Sequence, residues 1–223
     1  MSLWVKICGN TSLADAQLAV KAGADAVGFV LAPSPRQVTS EQVAAITAHL
    51  PVSIEKIGVF VDASFDDICS AVRLAGLTGV QLHFAASAEL PAKLRDRLGP
   101  SLRILRVLHF ESGAADVLAK HLTGYAEHPH IDGFLVDSRT AAAVGGTGIA
   151  FDWKAARETL FGSAGKLKLI AAGGLNPSNV AEAIATLHPW GVDVVSGVEA
   201  APGRKDAAKV RQFIANARAA HSE

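Results

Sequence analysis

The chain has 223 residues, of which 50% are hydrophobic and 19% charged, and its 21 basic residues balance 21 acidic ones. This composition can bury enough apolar surface to offset the entropy of ordering the chain, so it excludes a disordered protein. A net charge of zero argues against a nucleic-acid partner, and no apolar run approaches the roughly 18 residues that a membrane span requires. The two cysteines, Cys8 and Cys69, are too few for a disulfide framework or a four-thiolate zinc site. We see no secretory signal at the N-terminus and expect a reducing, cytoplasmic setting.

Short apolar runs, typical of buried strands, recur along the whole chain. Eight such runs are predicted as strands, at 4–8, 26–31, 57–61, 80–83, 104–109, 134–136, 167–171 and 192–195. Each is followed by a stretch whose apolar residues have helical spacing, which predicts a parallel sheet with crossover helices.

The first of these helices has Leu13, Ala16 and Val20 on one face, and we expect it to end at Gly23. The other predicted apolar faces are Val43, Ile46 and Leu50; Phe65, Ile68, Cys69 and Val72; Leu90, Leu94 and Leu98; Val117, Leu118 and Leu122; Val180, Ile184 and Leu187; and Val210, Phe213, Ile214 and Ala217, with one further helix starting near Phe151. Eight strand–helix units in a chain of about 200–250 residues are typical of a closed (β/α)8 TIM barrel. We therefore predict a single α/β barrel domain over residues 1–223, with an open doubly wound sheet as the alternative.

Several polar side chains stand where the predicted strands end, which is where a barrel of this kind carries its catalytic groups. Side chains alternate between the two faces of a strand, and the wholly apolar set of each strand should face the helices. The other set then points into the barrel, and its polar members are Lys6, Cys8, Gln81, His83 and Asp137. The pattern thus predicts a thiol, an imidazole and a carboxyl group at one mouth of the barrel.

Glycine is concentrated in the last three loops that follow strands. These loops contain Gly145-Gly146-Thr147-Gly148, Gly173-Gly174 and Ser196-Gly197. Glycine lets backbone N–H groups approach an anion closely, and the loops after the seventh and eighth strands commonly bind phosphate in this architecture. Each glycine pair taken alone is equally consistent with a tight turn.

Simpler roles compete for most of these residues. Cys69 lies on an apolar helical face and is interpreted as a core residue, whereas Asp137 is also consistent with a cap and His83 with a structural hydrogen bond. Arg36 is also consistent with a solvated side chain. If the first and last strands pair, Asp193 is expected to bind Lys6 as structural support. The histidines show no spacing that favours a metal site.

Short motifs extend through nearly the whole chain and are specific in combination. They are Lys6-Ile7-Cys8-Gly9, Ser34-Pro35-Arg36, Val80-Gln81-Leu82-His83, Leu135-Val136-Asp137-Ser138, Gly145-Gly146-Thr147-Gly148, Phe151-Asp152-Trp153, Ala172-Gly173-Gly174-Leu175-Asn176-Pro177-Ser178-Asn179-Val180, Ser196-Gly197-Val198-Glu199 and Pro202-Gly203-Arg204-Lys205-Asp206. Taken in order, these segments resemble the phosphoribosylanthranilate isomerase family of tryptophan biosynthesis. The sequence departs from the family at Phe84, where glycine is common, and at Val195, where serine is common.

The resemblance implies an Amadori rearrangement of N-(5'-phosphoribosyl)anthranilate, with Asp137 as general acid and Cys8 as general base. An acid donor must hold its proton near neutrality, which partial burial of a carboxyl group favours. We expect Lys6 and a positive mouth to lower the pKa of the Cys8 thiol and so favour its thiolate. By the same resemblance Arg36 binds the anthranilate carboxylate.

The remaining substrate-binding residues implied are His83 and the glycine-loop residues Gly146, Thr147, Gly173, Gly174, Ser196 and Gly197. No cofactor and no metal is expected, because the nitrogen of the substrate serves as the electron sink. The expected partner is a small-molecule phosphosugar, without nucleic acid or membrane, and the oligomeric state is left open between monomer and homodimer. Two other functions stay open, a phosphosugar isomerase of the histidine pathway and a non-catalytic phosphate-binding barrel.

Overall fold

The structure, a computed structural model, describes residues 2–83, 89–109, 129–137, 153–162 and 167–222. Eight parallel strands pair in chain order and close into a barrel, in which β1 pairs with β8 and Lys6 stands opposite Asp193. The strands are β1 (Trp4–Ile7), β2 (Ala26–Val30), β3 (Glu55–Phe60), β4 (Gly79–Leu82), β5 (Arg103–His109), β6 (Gly133–Asp137), β7 (Leu169–Ala172) and β8 (Gly191–Val194). The predicted closed barrel is confirmed, and the open sheet is excluded.

The described helices lie between these strands at the predicted places. They are α1 (Leu13–Ala22), α2 (Ser40–Thr47), α3 (Phe65–Leu74), α4 (Leu90–Leu98), α5 (Trp153–Ala156), α6 (Val180–Leu187) and α7 (Ala207–Ser222), and α5 continues as a π-helix over Arg157–Phe161. The Ser12 hydroxyl accepts from the Asp15 amide at the start of α1, and Gly23 ends that helix with a left-handed φ of 97°. The helix predicted around Val117 lies outside the described residues.

Two apolar layers fix which way each strand faces. The inner layer fills the barrel, and its members are Trp4, Ala26, Ile57, Leu105, Val107, Leu135, Ile170 and Ala172. The outer layer, between strands and helices, includes Val5, Ile7, Val80, Phe134 and Val136. Because side chains alternate along a strand, this division confirms that Lys6, Gln81 and Asp137 point inward.

Two packing contacts and a short ribbon complete the fold. Cys69 is buried on α3 among apolar side chains, as its interpretation as a core residue predicted. Trp4 stacks on Trp190 with 5.4 Å between ring centroids. After β8 a 3-10 helix (Ser196–Val198) leads into a small antiparallel ribbon of β9 (Glu199–Ala201) and β10 (Arg204–Lys205), which the sequence pattern did not predict. No helix in the described part of the chain combines the length and apolar character needed to cross a membrane.

Candidate active site

The carboxyl ends of the strands bring the three predicted reactive side chains to one mouth. The Cys8 amide donates to the Val194 carbonyl (2.9 Å) and the His83 amide to the Phe60 carbonyl (3.0 Å), so both residues continue their strands. Asp137 is the last residue of β6. Cys8 and Asp137 are 3% and 4% exposed. The thiol and the carboxyl group are therefore on the inward face of the barrel, at the same end and largely removed from solvent.

A glycine on the neighbouring strand makes room for the thiol. Gly28 belongs to the inward-facing set of β2, together with Ala26. A Cβ atom at Gly28 would lie 2.5 Å from Cys8 Sγ and 2.9 Å from Lys6 Cε. The position of the sulfur thus depends on the absence of a side chain at residue 28.

A buried lysine connects three strands below the mouth. Lys6 Nζ donates to Asp193 Oδ1 (3.0 Å) and to Gln81 Oε1 (2.8 Å), and the Lys6 side chain is fully buried. Gln81 Nε2 lies 2.9 Å from His83 Nε2. Burial acts to lower the pKa of Lys6, but the Asp193 carboxylate outweighs it and the pKa is raised. The expected Lys6–Asp193 pair is confirmed, and the ammonium ion lies within electrostatic reach of Cys8.

The protonation of Cys8 differs from the expectation. Burial raises the pKa of the Cys8 thiol above its ordinary value, and the charges of Lys6 and Lys205 oppose this shift without reversing it. Loss of hydration penalises the thiolate more than the nearby cations stabilise it. The expectation of a lowered pKa is therefore wrong, and the thiol is the dominant form at neutral pH.

Arg36 is held by a carboxylate rather than exposed to solvent. Arg36 Nε donates to Glu199 Oε1 (2.8 Å) and Nη2 donates to Oε2 (2.6 Å). Lys205 Nζ donates to the same carboxylate (3.2 Å) and to the Cys8 carbonyl (2.6 Å). Burial acts to raise the pKa of Glu199, but the hydrogen bonds from Arg36 and the charge of Lys205 outweigh it and lower the pKa. Arg36 thus lies at the mouth, next to Cys8.

The loop after β7 makes a sharp turn that side-chain amides hold in place. Gly173 and Gly174 have φ values of 79° and 65°, a region that favours glycine. Asn179 Nδ2 donates to the Gly174 carbonyl (3.1 Å), while Asn179 Oδ1 accepts from the Asn176 amide (2.8 Å). These bonds fix the turn that follows the carboxyl end of β7.

The loop after β8 lies directly against the loop after β7. A Cβ atom at Gly197 would overlap the Leu175 carbonyl oxygen, so only glycine allows this approach. In the part of the chain that the structure describes, the amides of Gly173, Gly174, Ser196 and Gly197 donate to no backbone acceptor outside their own helix or strand. Four donors from two adjoining loops are an arrangement suited to an anion. Gly146 and Thr147, predicted to contribute as well, lie outside the described residues.

Two functional candidates escaped the sequence reasoning. Glu199 and Lys205 belong to segments that carry the family resemblance, but their pairing depends on the ribbon after β8. Both are charged yet only 7% and 6% exposed. Apart from that resemblance, the signal in the sequence is that charged residues stand close to the glycine pair. Within the described ranges, no group of three or more His, Cys, Asp or Glu side chains is arranged to hold a metal ion.

A closed parallel barrel with reactive and anion-binding groups at the carboxyl ends of its strands defines a (β/α)8-barrel enzyme. Residues 5–216 match the family model of N-(5'-phosphoribosyl)anthranilate (PRA) isomerase. A protein of that name from Pelobacter propionicus is 44% identical over 220 residues, which are 98% of this chain and 97% of the relative.

Solved structures of phosphoribosyl anthranilate isomerases are similar to this chain over nearly its whole length. Phosphoribosyl anthranilate isomerase from Thermotoga maritima superposes with a TM-score of 0.83 at 34% identity, over 97% of this chain and 99% of that one. A crystal structure of the isomerase in complex with reduced 1-(o-carboxyphenylamino)-1-deoxyribulose 5-phosphate gives a TM-score of 0.79 at 33% identity, with the same coverage. The chain belongs to the N-(5'-phosphoribosyl)anthranilate isomerase family and is an isomerase of tryptophan biosynthesis.

Proposed function

We propose that the chain converts N-(5'-phosphoribosyl)anthranilate into 1-(2-carboxyphenylamino)-1-deoxyribulose 5-phosphate, with Asp137 as general acid and Cys8 as general base. The observation that supports this most is the placement of one buried carboxyl group and one buried thiol on the inward face at the same end of the barrel. The ligand in the related complex is a reduced form of this product, which fits the same chemistry.

The acid acts first. Protonation of the furanose oxygen by Asp137 lets the bond between that oxygen and C1 of the sugar break, and the anthranilate nitrogen supplies the electron pair that forms an iminium ion. No organic cofactor or metal ion is required, because the nitrogen supplies the electron pair in this step and the resulting iminium ion serves as the electron sink in the next.

The base acts second. The iminium ion acidifies the C2 proton, which the Cys8 thiolate removes to give an enolamine. The enolamine becomes the ketone when C1 gains a proton and the C2 hydroxyl loses one. Because burial raises the pKa of Cys8, the thiolate is a minor form at neutral pH, and its fraction increases about tenfold per pH unit while the pH is well below that pKa.

The two ends of the substrate are assigned to two sides of the mouth. Arg36 binds the anthranilate carboxylate, and the loops after β7 and β8 bind the phosphate through the amides of Gly173, Gly174, Ser196 and Gly197. His83 faces the substrate from β4, and Gly146 and Thr147 complete the phosphate side. A monomeric or homodimeric state and a cytoplasmic setting stay predictions.

The test is a fluorescence assay of the anthranilate group, with the short-lived substrate generated in the reaction mixture. Cys8→Ser and Asp137→Asn should each lower turnover by about 10²–10⁴-fold while product binding is largely retained. Cys69→Ser, the same chemical change at the other cysteine, should leave turnover unchanged.

Three outcomes would contradict the proposal. Turnover that survives both active-site substitutions would show that the roles are wrong. Absence of turnover by the unmodified chain would favour a non-catalytic phosphate-binding barrel. Comparable turnover of the histidine-pathway aldosylamine would show a broader isomerase.

A further inference from the structure

The contact between Arg36 and Glu199 joins two distant parts of the chain at the mouth. The two residues are 163 positions apart and form two parallel N–H···O bonds, the strongest geometry available to a guanidinium and a carboxylate. The stem of Arg36 crosses Gly9, since a Cβ atom there would lie 2.9 Å from Arg36 Cδ. Gly9 follows Cys8 directly. The Arg36 side chain is therefore held beside the thiol by two contacts, one between its aliphatic stem and Gly9 and one between its guanidinium and Glu199.

The charges of this cluster do not cancel. The Glu199 carboxylate also accepts from Lys205 Nζ (3.2 Å) and from the Gly203 amide (3.3 Å), so two cations share one anion and one positive charge remains. A guanidinium has five N–H groups, of which Arg36 gives two to Glu199. Its Nη1 has no partner among the residues that the structure describes. The cluster can therefore bind a second carboxylate.

We propose that Glu199 is a positioning residue that sets the specificity for an aryl carboxylate, by fixing the Arg36 guanidinium so that its free edge faces the substrate. This inference rests on the proposed function. Without Glu199 the long Arg36 side chain would have to lose its freedom during each binding event, and binding of the carboxylate would be weaker for that reason. Lys205 supports the arrangement because its positive charge balances the negative charge of Glu199. The positive charge of Arg36 is then available to the substrate carboxylate.

A purely structural role makes different predictions. If Glu199 only fastens the β9–β10 ribbon to the barrel, its loss should lower stability and harm every substrate alike. If it positions Arg36, its loss should harm only substrates that carry the carboxylate, and only while Arg36 is present. The two roles are therefore separated by a change of substrate and by a double-mutant cycle.

The experiment measures kcat and KM for Glu199→Gln with two substrates, the phosphoribosyl anthranilate and the phosphoribosyl derivative of aniline, which lacks the carboxylate. For the first substrate KM should rise about 10–100-fold, the range for losing a charged hydrogen-bonding contact, with a much smaller change in kcat. For the second substrate the variant should match the unmodified protein. Glu199→Asp, which keeps the charge near Lys205 but shortens the reach to Arg36, should raise KM in the same selective way.

Two controls complete the design. In an Arg36→Met protein the further change Glu199→Gln should leave KM for the anthranilate substrate nearly unchanged. Glu55→Gln removes a carboxylate that also pairs with an arginine, Arg103, through one hydrogen bond and one ion-pair contact, but at the amino ends of the strands, and it should not affect KM.

An equal effect of Glu199→Gln on both substrates, or a KM effect that persists without Arg36, would overturn the inference. A normal KM in both Glu199 variants, with a raised KM in Arg36→Met, would overturn it too while leaving the proposed function intact. Lack of turnover by the unmodified chain would instead reject the proposed function.

Discussion

The substitution Gly28→Ala tests whether the position of the Cys8 sulfur controls turnover. The added methyl group would lie 2.5 Å from Cys8 Sγ and 2.9 Å from Lys6 Cε. Atoms of this size are in favourable contact at about 3.5–4.0 Å, so the sulfur has to move by roughly 1 Å. A displacement of that size at a reacting group can reduce the rate by about 10²-fold. Overpacking also costs roughly 1–3 kcal/mol of stability.

Gly58→Ala is a matched control on the next strand. Its added methyl group would lie 2.6 Å from Leu77 Cδ1 and 2.9 Å from Phe60 Cε2, on the outer face of the barrel. Both alanine variants should therefore lose a similar amount of stability in denaturant unfolding, but only Gly28→Ala should lower kcat in the fluorescence assay. If both variants turn over substrate at the rate of the unmodified chain, or if both are slowed alike, the sulfur position does not control the reaction and the assignment of Cys8 fails.

Three further properties follow from the buried polar groups. In a Cys69→Ala protein, alkylation of Cys8 by iodoacetamide should accelerate about tenfold per pH unit through neutrality, because burial raises the thiol pKa; a plateau at or below the ordinary value of about 8.5 would contradict this. Lys6→Met leaves the carboxylate on β8 buried and unpaired, which should cost about 3–5 kcal/mol in denaturant unfolding, whereas an unchanged midpoint would mean that the carboxylate stays hydrated. Because Lys6 binds the Gln81 amide oxygen, the Gln81 nitrogen must donate to His83 Nε2, and 15N NMR of the neutral His83 ring should therefore show hydrogen on Nδ1. Gln81→Leu should remove this tautomer preference. An Nε2–H signal in the unmodified protein would refute the orientation of the Gln81 amide.

The alternation of side chains accounts for what could be predicted about the site. Parity along short apolar strands placed Cys8, His83 and Asp137 on the inward-facing set, and barrel closure placed Asp193 beside Lys6. These properties depend only on the alternation of side chains, which is local to each strand, and on the pairing of strands in chain order around a closed barrel. The same regularity explains why the predicted strands agree with the structure to within about two residues at each end.

The properties that could not be predicted depend on distances between separate loops. The pKa of Cys8 reflects a balance between burial and the charges of Lys6 and Lys205, and neither the depth of the thiol nor those separations can be read from spacing. The contact of Glu199 with Arg36 depends on the β9–β10 ribbon, which no periodic pattern in the sequence predicts. A resemblance indicated that these residues matter, but only their packing shows which atoms they hold.

The Lys205 ammonium, which donates to the carbonyl of a residue 197 positions earlier, has a consequence for biosynthesis. Translation produces the thiol-bearing strand first and the lysine that anchors its backbone in the last tenth of the chain. A nascent polypeptide released before that point lacks this lysine, which is also one of the two cation partners of Glu199, and its first strand has no charged anchor from the last segment of the chain. Premature termination near the 3' end of the message should therefore yield a chain with most of its hydrophobic core and no organised catalytic centre.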